Sequence, residues 1–219
     1  MGVEAKICGL TRPEDAALAV AHGATRLGVV FAWGPRVVTA ARAAEFVAAA
    51  GDVPVLAVVA GGSADELLDL AIRTGVRGFQ LHGDSDPLVA AELQARGREV
   101  WRVATLASLA EVHRAVTAAR LGADAVLVEP HHATGSGGRG VPLDPELARA
   151  ARAALDDVPM VLAGGLRAET VAEAIRLVSP DIVDVSSGVE SEPGVKDPRR
   201  LVQFLEAVRD ARPADRHHA

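Results

Sequence analysis

The sequence predicts an α/β protein, a single-domain (β/α)8 (TIM) barrel. Three observations carry that expectation. Short apolar runs rich in Val, Leu and Ile recur along the chain, at 5–8, 27–31, 55–60, 78–81, 100–104, 125–129, 160–163 and 182–186. Helical patterns alternate with them, at 14–21, 40–50, 64–74, 87–95, 109–120, 145–155, 168–177 and 198–209. The length of 219 residues suits one barrel, since barrels of about 200–250 residues are routinely single domains. Unbroken apolar runs fit parallel strands covered on both faces, and eight such strand–helix units are the count of a closed barrel. An open doubly wound sheet fits less well. It usually has fewer strands and carries a Gly-rich dinucleotide fingerprint in its first turn, which Cys8-Gly9-Leu10-Thr11 is not. The barrel is expected to occupy 1–210 and a mobile tail 211–219.

The first strand leads through Gly9 into a marked helix start. Thr11 and Glu14 have the spacing of a reciprocal capping box, and Pro13 fits a first turn, where a backbone N–H has no helical partner. Later helices open on Ser63, Asp86, Ser108 and Asp144, side chains that accept from unpaired N–H groups. Several close on glycine, at Gly23, Gly51, Gly75, Gly97 and Gly122.

Composition narrows the function. A chain 49% hydrophobic and 24% charged can bury a large core and keep a charged surface. Aromatic residues are 3% and tyrosine is absent, which argues against stacking platforms for bases. A net charge of −6 argues against nucleic acid or an anionic membrane as the main partner, so local groups must hold any anionic ligand. A single cysteine excludes an internal disulfide and a cysteine-built metal site. Met1 to Ala5 runs straight into the first strand without a leader, and no apolar stretch is long enough to span a bilayer. The expected location is the cytoplasm. The paired His217 and His218 read as a solvated end.

In such a barrel the chemistry lies at the C-terminal ends of the strands. Strand one offers Cys8, and Lys6 two residues earlier faces the same side. A nearby ammonium favours the thiolate that a reactive cysteine requires, although a buried small hydrophobe is the plainer reading of any cysteine. The loop after strand two offers Arg36, whose guanidinium suits bidentate capture of a carboxylate. Strand four ends in His82, equally suited to packing at the mouth or to a polar contact with substrate. Strand six runs Ala125-Val126-Leu127-Val128 and then ends in Glu129, a carboxyl whose desolvation would suit proton donation. Gly164 and Gly165 after strand seven, with Ser186, Ser187 and Gly188 after strand eight, supply the N–H groups and hydroxyls of an anion site, where barrels frequently hold a phosphate. The glycine-rich run 134–140, Gly137 included, suits either a wrap around that phosphate or a lid. Cys8 and Glu129 give a candidate base and a candidate acid on one rim, which fits isomerisation by proton transfer.

These stretches resemble the phosphoribosylanthranilate isomerase family of tryptophan biosynthesis. The matching segments are Lys6-Ile7-Cys8-Gly9-Leu10-Thr11, Gln80-Leu81-His82-Gly83, Gly135-Ser136-Gly137, Leu162-Ala163-Gly164-Gly165-Leu166 and Asp184-Val185-Ser186-Ser187-Gly188-Val189-Glu190 with Pro193-Gly194-Val195-Lys196-Asp197. The resemblance implies an Amadori rearrangement of N-(5-phosphoribosyl)anthranilate to 1-(2-carboxyphenylamino)-1-deoxyribulose 5-phosphate. It implies Cys8 as base, Arg36 on the anthranilate carboxylate and a phosphate cradle at Gly165, Ser187 and Gly188, with no metal or cofactor. The expected partner is a small phosphorylated substrate, and the expected state is a monomer or homodimer.

The chain departs from the family pattern twice. Glu129 stands where the family carries its aspartate acid, one methylene longer, and a misplacement of that size can cost about 100-fold in rate. Gly34-Pro35-Arg36 is about one residue short, without the usual serine. Two other readings share the rim: an isomerase of a related phosphorylated aminosugar such as the histidine-pathway substrate, or a non-catalytic barrel that binds a phosphate ligand.

Overall fold

The structure, a computed structural model, describes residues 2–83, 85–131 and 141–212. Eight strands and eight helices alternate: β1 Glu4–Ile7, α1 Pro13–Ala21, β2 Arg26–Val30, α2 Ala40–Ala50, β3 Val55–Val59, α3 Ala64–Thr74, β4 Gly78–Leu81, α4 Pro87–Ala95, β5 Glu99–Leu106, α5 Leu109–Arg120, β6 Ala125–Pro130, α6 Pro145–Ala154, β7 Met160–Leu162, α7 Ala168–Val178, β8 Ile182–Val185 and α8 Pro198–Asp210. The strands pair in sequence order, all parallel, and β1 pairs with β8 to close the barrel. Each expected element is present, with ends shifted by a residue or two.

The two-residue period of a strand sorts its side chains into two cores. Outward-facing Ile7, Leu27, Val29, Ala57, Phe79, Leu81, Val126 and Val128 pack under the helices. Inside the barrel Leu56, Trp101, Ala125, Leu127, Val161, Ala163 and Ile182 form a separate cluster. Trp101 plugs its base. The indole Nε1 donates to Glu99 Oε1 at 2.8 Å, and the Lys6 ammonium and Arg26 guanidinium lie 5.5 and 5.6 Å from its ring centroid, within cation–π range. A filled lower lumen leaves space for a ligand only toward the strands' C-terminal ends.

Helix starts follow the sequence in most places. Ser63 forms a full capping box with Glu66, and Asp86 and Asp144 cap α4 and α6. Two expectations fail. Ser108 makes no side-chain cap hydrogen bond. The Thr11–Glu14 box does not form, because α1 starts at Pro13 behind Arg12 and the Thr11 hydroxyl donates instead to the Gly194 carbonyl. The Arg12 guanidinium bonds Asp15 at 2.7 and 2.9 Å and the Lys196 carbonyl at 2.9 Å.

These contacts go to a feature the sequence did not reveal. After β8 a 3₁₀ turn, Ser187–Val189, leads into a small antiparallel hairpin, β9 Glu190–Glu192 and β10 Val195–Lys196. Strands of two and three residues are too short to show a period. The hairpin packs against the loops after β1 and β2. Of the tail expected at 211–219, only Ala211 and Arg212 are among the described residues. The glycine-rich run 134–140, with Gly137, also lies outside them.

Candidate active site

The C-terminal rim encloses a cavity of about 440 Å³. Every described residue that the sequence put forward lines it: Cys8 and Glu129, Arg36 and His82, and Gly164, Gly165, Ser186, Ser187 and Gly188. The parity that aims Leu127 into the lumen also aims Glu129 there, and the same holds for Lys6 with Cys8, Gln80 with His82 and Asp184 with Ser186.

On the β6 side, Glu129 is the penultimate residue of its strand, and its side chain is about 11% exposed. His82 Nε2 lies 3.3 Å from Glu129 Oε1, so the carboxyl is held toward β4. Trp33, from the loop after β2, meets the His82 ring edge-on with centroids 5.1 Å apart.

On the β1 side, the expectation that Lys6 drives Cys8 toward the thiolate is corrected. Burial pushes the Cys8 thiol above its ordinary value and Asp184 adds to the rise, while Lys6 and Lys196 oppose both without overcoming them. Lys6 is fully buried and gives its charge to Asp184 Oδ1 at 2.9 Å and a second hydrogen bond to Gln80 Oε1 at 2.9 Å. Gln80 and Asp184 also line the cavity, in addition to the residues expected from the sequence. Their signal in the sequence was the lumen parity they share with Lys6, one position below the rim.

Arg36 is no solvated arginine. Its Nε and Nη2 bond the two carboxylate oxygens of Glu190 at 2.8 and 2.7 Å, and Nη1 makes no hydrogen bond within the described residues. Glu190 is in turn held by Lys196 Nζ at 2.8 Å. The same ammonium donates to the Cys8 carbonyl at 2.6 Å and the Ser186 carbonyl at 3.2 Å. Burial alone would raise Glu190, but Arg36 and Lys196 hold it below the ordinary carboxylate range. The hairpin thus braces Arg36 and the strand-one backbone at once. Gly9 permits the approach: a Cβ there would lie 2.4 Å from Arg36 Cδ and 2.7 Å from Ser186 Oγ.

The loops after β7 and β8 interlock. A Cβ on Gly188 would fall 1.9 Å from the Leu166 carbonyl oxygen, so only glycine lets the two backbones meet. Gly164 and Gly165 have φ of +101° and +61°, left-handed values that glycine adopts freely. Successive N–H groups in such turns form anion-binding concavities. Among the described residues, no group of three or more His, Cys, Asp or Glu is placed to hold a metal ion, and no helix is long and apolar enough to cross a membrane.

Barrel and rim cavity together define a (β/α)8-barrel enzyme, with its site at the C-terminal ends of the strands. Residues 5–207 match the family model described as N-(5'-phosphoribosyl)anthranilate (PRA) isomerase. A relative named N-(5'-phosphoribosyl)anthranilate isomerase, from Afipia carboxidovorans, is 41% identical, over 98% of this chain and 94% of its own. The chain belongs to the phosphoribosylanthranilate isomerase family. Among solved structures, monomers generated from the dimeric Thermotoga maritima isomerase superpose with a TM-score of 0.81 at 28% identity, over 94% of this chain and 98% of that one. A phosphoribosylanthranilate isomerase in complex with reduced 1-(o-carboxyphenylamino)-1-deoxyribulose 5-phosphate gives 0.81 at 27% identity, with the same coverage.

Proposed function

We propose that this chain, as a cytoplasmic enzyme, converts N-(5-phosphoribosyl)anthranilate to 1-(2-carboxyphenylamino)-1-deoxyribulose 5-phosphate, with Glu129 as general acid and Cys8 as general base. The observation that carries this reading is the placement of those two groups, Glu129 on β6 and Cys8 directly after β1, in one rim cavity between an anion cradle and an arginine. The complex of a family member with a reduced product analogue supports the choice of ligand.

The ligand is anionic at both ends, and the cavity offers complementary groups at both. The interlocked loops after β7 and β8 receive the phosphate. Arg36, held in place by Glu190, meets the aryl carboxylate through Nη1, which bonds nothing else among the described residues. Fixing both ends orients the ribose between the acid and the base, which converts chance encounters into a single geometry. Glu129 then donates its proton to the furanose ring oxygen, and the C1′–O bond breaks to leave a protonated Schiff base. Cys8, as thiolate, takes the proton from C2′, and the electron pair flows to the imine nitrogen to give an enolamine. Tautomerisation to the ketone completes an isomerisation in which no atom is gained or lost. Burial limits how much thiolate is present at neutral pH, yet it also strips the sulfur of water and strengthens it as a base.

The His82 contact is the local answer to the longer acid. By drawing the Glu129 carboxyl toward β4, it offsets part of the extra methylene's reach.

Purified protein is expected to abolish the fluorescence of substrate generated in situ, in steady state and without added cofactor. Absence of turnover contradicts the proposal. Arg36→Ala is expected to raise KM by about 10–100-fold, since a charge-assisted hydrogen bond contributes about 1.5–3 kcal/mol, with a smaller change in kcat. An unchanged KM would remove Arg36 from the carboxylate.

A further inference from the structure

Four residues from four strands meet at the cavity floor: Lys6 on β1, Gly28 on β2, Gln80 on β4 and Asp184 on β8. Cys8, Gln80 and Asp184 face the cavity, whereas Lys6 lies beneath them, fully buried. Gly28 makes the arrangement possible. A Cβ there would stand 2.8 Å from Cys8 Sγ and 3.1 Å from Lys6 Nζ, so thiol and ammonium share the space of one absent side chain. The ammonium has three N–H groups. One goes to Asp184 and one to Gln80, both at 2.9 Å, and Cys8 lies near enough to favour the charged ammonium as well.

We infer that the Lys6–Asp184 pair controls the protonation of Cys8: Lys6 supplies the positive charge that a thiolate needs in this dry floor, and Asp184 competes with the sulfur for it. This rests on Cys8 being the base. Both are positioning residues by this account, acting through Cys8.

The reasoning is electrostatic. A buried ammonium needs an anionic partner, and removing one member of a buried pair is costly. Lys6 has two candidate anions within reach, Asp184 and the Cys8 thiolate. While Asp184 holds the ammonium, the sulfur is favoured as a thiol. When the ammonium turns toward sulfur, the thiolate is stabilised at the moment a C2′ proton must be removed. The other charged groups facing Cys8 are Lys196 from β10, whose Nζ already spans the Cys8 carbonyl and Glu190, and Arg36 from the loop after β2, which Glu190 neutralises. Neither can substitute for Lys6. Burial pulls the ammonium toward its neutral form, but Asp184 and Cys8 together outweigh it and keep Lys6 charged, so the sulfur is itself one of the two anions that hold the charge.

Asp184→Asn keeps the shape and removes the competing charge. Cys8 is the only cysteine in the chain, so far-ultraviolet thiolate absorbance of the intact protein, with Cys8→Ser as blank, titrates it directly. The Asp184→Asn midpoint is expected to fall by about one pH unit, and alkylation by iodoacetamide at neutral pH to rise by about tenfold. Lys6→Met is expected to move both readouts the other way. If that variant does not fold by circular dichroism, Asp184→Asn alone decides. A thiolate midpoint in Asp184→Asn that is unchanged or higher overturns the inference. The titration reads no turnover. A shifted midpoint alongside full activity in Cys8→Ser would therefore sink the catalytic base and leave the control of its ionisation standing.

Discussion

Cys8→Ala is expected to lower kcat by about 10²–10⁴-fold, the range lost with a positioned general base. KM should change little, because the two anionic ends of the substrate are held elsewhere on the rim. The substitution is mild for the fold. Cys8 sits at the end of β1 over Gly28, and its backbone is fixed independently, by Cys8 N–H donating to the Val185 carbonyl at 2.8 Å and by Lys196 bonding the Cys8 carbonyl. Its urea unfolding midpoint should therefore stay close to wild type while turnover collapses. Near-wild-type kcat in a folded Cys8→Ala protein would mean that another group takes the C2′ proton, and Asp184 on the same floor would be the first to test.

Gly188→Ala should have a large effect of a different kind, on binding at the phosphate end of the ligand. The added methyl has nowhere to go: 1.9 Å to the Leu166 carbonyl oxygen, 3.0 Å to its carbon and 3.2 Å to Val185 Cγ2. Two of those atoms are backbone, so the loops after β7 and β8 must separate. Overpacking of this kind costs about 1–3 kcal/mol. The separation also opens the anion cradle, whose N–H groups work only at hydrogen-bond distance. KM is expected to rise at least about tenfold, and competitive inhibition by inorganic phosphate to weaken in parallel. If KM and phosphate inhibition were both unchanged in a folded variant, the phosphate would lie elsewhere.

Most of the barrel was legible in the sequence. Parallel strands covered on both faces are forced into apolar runs, as in Val55–Val59 and Ala125–Val128, and the capping residues Ser63, Asp86 and Asp144 mark their helices chemically. Rim residues were legible as well, because the fold dictates that the strand ends carry the site. What could not be read was pairing. Nothing local in Lys6 says that it bonds Gln80 across the lumen and Asp184, its register partner on β8, 74 and 178 residues away. Taking Lys6 as a free ammonium beside Cys8 missed both its burial and its competing anion. The hairpin was hidden for a related reason. Its strands are too short to show a period, and its partners are the Thr11 hydroxyl, the Arg36 guanidinium and the Cys8 carbonyl, all distant in sequence. The same contacts explain why the expected Thr11 cap is absent.

Trp33, from the loop that also carries Arg36, rests against the His82 ring, whose Nε2 lies 3.3 Å from Glu129 Oε1. The resemblance implies an aspartate where Glu129 stands and a longer loop before Arg36, and those two positions meet through this one histidine.

The central claim is that Glu129 serves as the acid in a site adapted to its length. Its most direct test is substrate turnover, followed by fluorescence loss, for wild type, Glu129→Gln and Glu129→Asp side by side. Clear wild-type turnover is expected, with a loss of about 10²–10⁴-fold in Glu129→Gln and a lower rate in Glu129→Asp than in wild type, because His82 is placed against the longer side chain. Undiminished turnover in Glu129→Gln, or an inactive wild type restored by aspartate, would contradict it, the second leaving a barrel that kept its binding site and lost its acid.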